Sequence, residues 1–527
     1  MAPLLVNMVK STMARRVSLC GRDYYFLAWS NSQMRDHGCY MYSACPRPDG
    51  TIASVDDIRD WMGDFSQSKT VPKLMSRMGQ CFTQAQPTVT LQRNEWQCED
   101  DVTGGAGHPE TGEEYTFSDG VGRLSFSLAK AMAEQLELTV VPSCYQVRFK
   151  GFKGVLTIDR TLDGAGRPKV IFRKSQKKFV DSSEAEASVL EVVKYSMPSS
   201  ICLNRPLIAI LDGVAEKQGV LDRMSARIHY YLESELNTIA KMMMSDATAA
   251  EVLTSRLALP IDFGQLHSSG FTLTDEPFFR QMLVAIYRYT VSQHLSKAKL
   301  ELPGNVGRSM FGVMDETGLL QYGQVFVQYS ESVRTPSDPP KRHIGPVLVS
   351  KNPCHVAGDA RMFMAVDQPA LHHMRDVIVF PRYGPRPHPD EMAGSDLDGD
   401  EYSVVFDAGM FFDTNEQAMI FPKKAATEYE FTPTSSDMAD FFLTYLHGDS
   451  VGRVSNAHLF SVDARGLFDP ISEELARKCS IAVDFPKSGE PAEPLQRHEQ
   501  LESRPDFAES NFKPAYRSTK INGQLYR

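Results

Sequence analysis

The chain has 527 residues, 42% of them hydrophobic and 23% charged, with a formal net charge of −10. This length predicts about three to five units, and the acidic balance argues against a protein that binds polyanions over its whole surface. The nine cysteines include no CxxC pair, which argues against a zinc site or a disulfide framework. The sequence has no run of about 18 apolar residues, so it predicts no membrane span.

The first half of the chain predicts a β-rich unit followed by helices. Residues 1–115 mix short strands with a helix, and the loop GGAGHPETG marks a boundary. Apolar, β-branched runs between turn residues then predict strands. Ser183 and Glu186 form a capping-box pattern that predicts a helix closed by Pro198. The predicted strands lie at 145–149, 154–158 and 169–172, and helical periodicity follows at 224–257 and 277–300.

The second half repeats this order, with a second β-rich unit and a further helical region. The predicted strands and helices are grouped in separate parts of the chain and do not alternate strictly. This grouping predicts an α+β fold. The predicted strands lie at 323–329, 346–349, 376–380 and 402–406, and the helices at 438–446 and 472–479. The expected domains are a mixed α/β region at 1–115, β-units at 116–215 and 301–430, a helical connector at 216–300 and a C-terminal helical region at 431–527.

The stretch GSDLDGDEY places Asp396, Asp398 and Asp400 within five residues. On a straight strand the outer two would lie about 13 Å apart, and on a helix positions i and i+2 diverge. The three carboxylates can therefore meet only if the segment bends, which Gly399 permits. Converged carboxylates repel one another unless a cation joins them, and Mg²⁺ prefers such hard oxygen ligands.

Two other interpretations of this cluster remain open. An EF-hand loop requires glycine at its sixth position and usually glutamate at its twelfth, whereas here glycine is fourth and Asp407 is twelfth. A solvated Asp/Gly turn between two strands would also produce this pattern.

A basic segment elsewhere in the chain favours the metal interpretation. Residues 148–178 contain ten lysines and arginines but only Asp159 and Asp163 as acids. Several basic residues alternate with apolar ones along the predicted strands, which would place them on one face. A solvated strand face remains the alternative. An acidic metal cage with a basic face suits phosphoryl or nucleotidyl transfer.

The same motifs resemble one family, the cellular RNA-dependent RNA polymerases of eukaryotic RNA silencing. The aspartates look like its catalytic signature and end the matching block VLVSKNPCHVAGDARMFMAVDQPALHHMRDVIVFPRYGPRPHPDEMAGSDLDGDEY. The resemblance covers about residues 22–527, and because larger relatives continue further, it implies a catalytic core or a fragment. Other matching blocks are FLAWSNSQMRDHG, RMGQCFTQAQPTV, FSDGVGRLS, YQVRFKGFKGV, GRSMFGVMDETGLLQYGQVFVQ, SIAVDFPKSG and YRSTKINGQLYR.

The resemblance implies that the two β-units are double-psi β-barrels, similar to the paired barrels of multisubunit RNA polymerases. It implies that the aspartates bind Mg²⁺, with Mn²⁺ as a possible substitute, and that first-barrel lysines face the nucleotide. Because residues alternate along a strand, only one of Lys177 and Lys178 should point inward. The implied catalytic lysines are Lys153 and Lys177 or Lys178. The implied contacts to triphosphate or RNA come from Arg173, Arg308, Lys351, Arg361 and His388.

The implied activity is 5′–3′ synthesis of RNA on a single-stranded RNA template from NTPs, by a two-magnesium mechanism. Its double-stranded product would serve RNA interference and post-transcriptional gene silencing, with Argonaute- or Dicer-type factors as partners in the nucleus, the cytoplasm or both. A metal-dependent nuclease or phosphatase and a non-catalytic RNA-binding scaffold are the alternatives.

Overall fold

The computed structural model describes residues 3–182, 185–257, 259–333, 336, 339–421, 428–509 and 514–527. Within these ranges, no helix combines the length and the apolar character that crossing a bilayer requires.

The N-terminal region is a small antiparallel sheet covered by helices. Ser54 begins α3 with a capping box, because its side chain accepts from the Asp57 N–H and the Asp57 carboxylate accepts from the Ser54 N–H. Trp29 is fully buried against aromatic side chains of the C-terminal region. The elements are α1 (Pro3–Ala14), β1 (Arg16–Leu19), β2 (Arg22–Ala28), α2 (Asn31–Arg35), β3 (Tyr40–Ser43), β4 (Cys45–Pro46), β5 (Ile52–Ala53), α3 (Val55–Met62) and α4 (Val71–Met78).

The first large sheet has seven strands in the order β6-β14-β11-β12-β10-β13-β7. The sequence predicts that this unit starts at residue 116. The sheet begins earlier in the chain, because β6 and β7 pair with the later strands β14 and β13. The elements of this region are β6 (Gln86–Gln92), β7 (Trp96–Glu99), β8 (Thr103–Gly104), β9 (Tyr115–Thr116), β10 (Val121–Leu124), α5 (Phe126–Gln135), β11 (Cys144–Phe149), β12 (Phe152–Ile158), β13 (Val170–Arg173) and β14 (Ala187–Tyr195). Strands β8 and β9 pair with each other in a separate two-stranded sheet.

The sequence predicts a helix closed by Pro198, but this segment forms strand β14, so the prediction is wrong. Its burial alternates at Leu190 and Val192, which is the two-residue period of a strand. Pairing with both β11 and β6 satisfies its backbone on two sides. Ser183, the proposed helix cap, lies outside the described residues. Tertiary pairing therefore overrides the local capping pattern.

The connector between the sheets is helical, as predicted. The predicted helix at 224–257 is divided in two, because the Ser245 side chain caps a new helix by accepting from the Thr248 N–H. The elements are β15 (Cys202–Leu203), α6 (Arg205–Lys217), α7 (Leu221–Lys241), α8 (Asp246–Arg256), α9 (Phe263–Ser268), α10 (Pro277–Lys297) and β16 (Leu300–Glu301).

The second large sheet closes into a barrel. Strand β18 pairs with both β21 and β22, so six strands form a ring in the order β18-β21-β20-β23-β17-β22, and β19 lies on its edge. One hydrophobic core joins this barrel to the first sheet through Val121 and Val155. The elements are β17 (Gly307–Met314), β18 (Gln324–Tyr329), β19 (Lys341–His343), β20 (Gly345–Lys351), β21 (Ala360–Ala365), β22 (Val377–Phe380), α11 (His388–Glu391) and β23 (Glu401–Val405).

The C-terminal region is helical and packs back on the rest of the chain. Helix α14 contains Pro486 and packs against α4, which joins the two ends of the molecule. The elements are α12 (Ser435–Gly448), α13 (Val451–Arg465), α14 (Pro470–Ser488), β24 (Arg504–Pro505), β25 (Ala515–Tyr516) and α15 (Ile521–Tyr526).

A buried ion pair fastens the first sheet to the second barrel. Arg173, expected from the sequence to contact substrate or RNA, is instead 3% exposed. Its guanidinium donates to both carboxylate oxygens of Glu316 at 2.8 Å and to the Val121 carbonyl at 2.8 Å. This bidentate geometry suits a structural tie between the two units.

Replacing Arg173 with alanine should destabilise the fold, because removing one partner of a buried pair costs about 3–5 kcal/mol. The adjacent Lys174 forms an exposed pair with Asp100, and such pairs contribute about 0–1 kcal/mol. We expect the thermal unfolding midpoint of Arg173→Ala to fall well below that of Lys174→Ala. Equal midpoints would contradict the structural role of Arg173.

Candidate active site

The aspartate segment is a bent loop that leads into β23. Ala393 and Gly394 open it with φ values of +56° and +60°, and Gly399 has φ +136°. The predicted bend at Gly399 is therefore confirmed. Within the loop the Asp398 N–H donates to Asp396 Oδ1 at 3.1 Å, and the Asp396 N–H donates to Asp400 Oδ2 at 3.3 Å.

The first sheet touches this loop so closely that two glycines are required. A Cβ at Gly120 would lie 2.4 Å from the Asp398 Cβ, and a Cβ at Gly399 would lie 2.0 Å from Gln146 Nε2. Gln146 Nε2 donates to the Asp398 carbonyl at 3.1 Å. The Leu397 N–H donates to the Asp119 carbonyl at 2.8 Å. The loop thus lies at the contact between the two β-units.

Two lysines form ion pairs with the loop from opposite sides. Lys153 Nζ, on β12 of the first sheet, lies 2.6 Å from Asp398 Oδ2. Lys351 Nζ, at the end of β20 in the second barrel, lies 3.0 Å from Asp400 Oδ2. Both were candidate residues from the sequence, and the structure brings both to the aspartates.

The electrostatics differ sharply between neighbouring aspartates. Burial, together with the charges of Asp398 and Asp400, raises the pKa of Asp396 to about 7. Burial also acts to raise the pKa of Asp398, but the ammonium groups of Lys153, Lys178 and Lys487 together outweigh it and the net shift is downward. The loop therefore has one carboxyl, Asp396, that resists ionisation because it is buried beside other carboxylates.

The residues present fit a divalent cation, although the carboxylates are not closed on one point. In the described part of the chain, the group of three side chains whose ligand atoms lie within 4.8 Å of one another is Glu474, His498 and Glu499, not the aspartates. Lys478 already neutralises Glu499 at 2.6 Å. The aspartate loop instead offers hard oxygen ligands with an excess of negative charge, which suits Mg²⁺. Binding one ion would draw its carboxylates together.

The structure distinguishes Lys177 from Lys178. Lys178 is partly buried, its Nζ donates to the Ser175 carbonyl at 2.6 Å, and its charge helps lower the pKa of Asp398. The Lys177 side chain is exposed, and its charge acts to lower the pKa of the Cys98 thiol. Lys178 therefore faces the aspartates.

The structure does not bring Arg308 to the aspartates. Its side chain is buried, donates to the carbonyls of Ser330 and Glu331 at 3.1 and 3.0 Å, and lies over the Tyr329 ring. The arginine packs a turn of the second barrel, which explains why a basic residue occurs in a buried strand.

Arg361 and His388 belong to a buried network around Glu391. Arg361 Nε lies 3.1 Å from Glu391 Oε2, and His388 Nδ1 lies 2.7 Å from the same oxygen. The Gly323 N–H donates to His388 Nε2 at 2.9 Å, so Nδ1 carries the proton. Burial lowers the pKa of His388. This network braces α11 just ahead of the aspartate loop.

Sequence reasoning singled out neither Lys487 on α14 nor Gln146 on β11. Lys487 acts electrostatically on Asp398, as does Arg148 of the predicted basic segment. Gln146 Nε2 donates to the Asp398 carbonyl, and Asp119, in the matching block FSDGVGRLS, adds negative charge beside Asp396. Lys487 lies in the block SIAVDFPKSG, so the resemblance marked the segment. Nothing local indicated that its lysine acts on Asp398, 89 positions earlier in the chain.

Comparison with known proteins places this geometry in a family. The family model described as RNA dependent RNA polymerase matches residues 2–527. "RNA-dependent RNA polymerase 1" of Arabidopsis thaliana is 34% identical over 99% of this chain and 45% of its own length. "Probable RNA-dependent RNA polymerase 1" of Oryza sativa subsp. japonica is 34% identical over 99% of this chain and 67% of its own.

A solved structure supports the fold. "RNA dependent RNA polymerase QDE-1 from Thielavia terrestris" matches with a TM-score of 0.77 and 20% identity, over 98% of this chain and 62% of that one. The predicted fold class, α+β with paired double-psi β-barrels, is confirmed. The chain spans about half the length of several of the relatives it matches. From the match of the family model over almost every residue, the chain belongs to the RNA-dependent RNA polymerase family.

Proposed function

We propose that this chain is the catalytic core of an enzyme that copies single-stranded RNA into a complementary strand from NTPs. The observation that carries the proposal is the 2.6 Å approach of Lys153, on the first sheet, to Asp398, on the loop of the second barrel. This contact joins a carboxylate set suited to metal with a basic group suited to phosphate. Nucleotidyl transfer requires both at one point.

Asp396, Asp398 and Asp400 would hold Mg²⁺, with Mn²⁺ as a substitute. The bound metal supplies charge stabilisation at the α-phosphate and lowers the pKa of the attacking 3′-hydroxyl. Lys153 and Lys351, which now pair with the aspartates, would be released to neutralise the triphosphate and the departing pyrophosphate. Lys178 and Lys487 would add positive charge on the first-sheet and C-terminal sides.

The product of this reaction is double-stranded RNA, which we propose feeds RNA interference and post-transcriptional gene silencing. Argonaute- or Dicer-type factors are the proposed partners, in the nucleus, the cytoplasm or both. The family relationship supports the synthesis of RNA on an RNA template, since the matched relatives are named as RNA-dependent RNA polymerases.

The central prediction concerns catalysis. Wild-type protein with Mg²⁺, NTPs and single-stranded RNA should incorporate nucleotides and release pyrophosphate, whereas Asp398→Asn should lose at least about 100-fold in rate, as when a transition-state contact is removed. Glu251→Gln, an exposed carboxylate on α8, is the matched control and should retain full activity. Template shortening without NTP consumption would identify a nuclease, and RNA binding without turnover a scaffold.

A second prediction concerns metal binding and pH. Because the pKa of Asp396 is raised to about 7, its ionisation opposes folding, and stability is lost as pH rises through 7. Asp396→Asn should therefore unfold at a higher temperature than wild type in EDTA at pH 8, with a smaller difference at pH 5.

Mg²⁺ should raise the wild-type unfolding temperature at pH 8 and should raise that of Asp396→Asn much less. The Glu251→Gln variant again serves as control. An equal Mg²⁺-induced shift in wild type and Asp396→Asn would show that the ion binds elsewhere.

A third prediction separates the paired lysines. Lys178→Ala should lower kcat/KM for NTPs about 10-fold or more, because it removes positive charge beside the proposed phosphate position. Lys177→Ala should stay close to wild type, since that side chain is exposed and its charge acts on the thiol of Cys98. Steady-state incorporation at varied NTP concentration measures both, and the reverse ranking would overturn the orientation.

A further inference from the structure

Asp359 is a buried carboxylate outside the aspartate cluster that binds two separate loops. It is 1% exposed and lies just before β21. Its Oδ2 accepts from the His355 N–H at 2.7 Å and from the Val356 N–H at 3.0 Å. Its Oδ1 accepts from the Ala393 N–H at 2.9 Å. One buried side chain thus accepts from three backbone donors on two loops.

The Ala393 contact fixes the entry to the aspartate loop. Ala393 has φ +56°, in the left-handed region that residues other than glycine seldom adopt, and Gly394 follows at φ +60°. An external hydrogen bond to the Ala393 N–H therefore helps to hold a backbone conformation that alanine alone disfavours. Asp396 lies three residues further along.

The other two contacts fix the loop that follows Lys351. His355 and Val356 lie between β20, which ends at Lys351, and β21. Lys351 Nζ in turn lies 3.0 Å from Asp400 Oδ2. Asp359 therefore ties the segment that carries the lysine to the segment that carries its carboxylate partner.

A neighbouring contact acts in the same direction. Arg361, two residues after Asp359, lies 3.1 Å from Glu391 Oε2. The start of β21 thus holds the residues just ahead of the aspartates at two successive points, 391 and 393. The arginine contact is a side-chain pair with α11, whereas the Asp359 contact reaches the backbone of the loop itself.

We propose that Asp359 is a positioning residue that sets the distance between Lys351 and the aspartates, and so the geometry in which the carboxylates close on a divalent cation. Because it is buried, it acts through the two loops and touches neither substrate nor metal. The inference rests on the proposed function of the aspartates as metal ligands.

The test is the isosteric variant Asp359→Asn, in which an amide N–H₂ replaces one acceptor and must face a backbone N–H. Loss of such supporting contacts typically reduces metal affinity or activity about 10–100-fold. We expect kcat to fall by about that factor and the Mg²⁺ concentration for half-maximal activity to rise, while KM for NTPs changes less than about twofold.

Asp376→Asn is the matched control. Asp376 is also buried in the second barrel, and its carboxylate accepts from the Ser330 N–H at 2.8 Å and from the Ser330 hydroxyl at 2.7 Å. It should lose stability without a change in Mg²⁺ dependence. If both variants lose the same stability and Asp359→Asn keeps the wild-type kcat and Mg²⁺ dependence, the proposal is overturned.

A second variant perturbs the same contact from its other side. Ala393→Val places a β-branched residue where φ is positive, so it should reproduce the Mg²⁺ defect even if Asp359→Asn does not fold. A wild-type response from Ala393→Val would contradict the proposal.

The Mg²⁺-induced rise in unfolding temperature, measured without NTPs, separates this inference from the proposed function. If wild type incorporates no nucleotide, the polymerase proposal fails, and a smaller shift in Asp359→Asn than in Asp376→Asn still supports positioning. Equal shifts in these two variants overturn it.

Discussion

The ion pair between Lys153 and Asp398 is the contact on which the arrangement of this molecule depends. It crosses from the first sheet to the loop of the second barrel with 2.6 Å between its charged atoms. The lysine lies on the first sheet and its aspartate partner on the second barrel, so neither unit alone contains the complete candidate active site. Arg173 and Glu316 make a second crossing in which the arginine is buried, and a shared hydrophobic core fills the space beside them.

Close packing around the loop follows from the same constraint. For Lys153 to reach Asp398, the first sheet must approach the loop until only glycine fits at positions 120 and 399. Approach also removes water from the carboxylates, which is why the pKa of Asp396 rises to about 7 while Lys153 lowers that of Asp398. The resulting deficit of positive charge is what a divalent cation would fill.

Polar side chains around the loop form hydrogen bonds with its backbone. Asp359 holds Ala393, Gln146 holds the Asp398 carbonyl, and the Tyr402 hydroxyl donates to the Asp396 carbonyl at 3.1 Å. Three hydrogen bonds from three different strands or turns thus fix the backbone at residues 393, 396 and 398. A loop of repelling carboxylates keeps one conformation because its main chain is held by these bonds while Lys153 and Lys351 hold two of its side chains.

Local geometry and hydrophobic period in the sequence predict the bend at Gly399, two groups of strands and the helices between them. With the family resemblance, the sequence also singles out the aspartates and Lys153, and Lys153 lies against Asp398 in the structure. Packing between distant segments accounts for the rest: β14 is a strand because β6 and β11 flank it. Arg308 and Arg173 are structural because buried acceptors surround them. Lys487 faces Asp398 only through the packing of α14. The type of a residue limits which bonds its side chain can make, whereas the fold determines which bonding partner lies within reach.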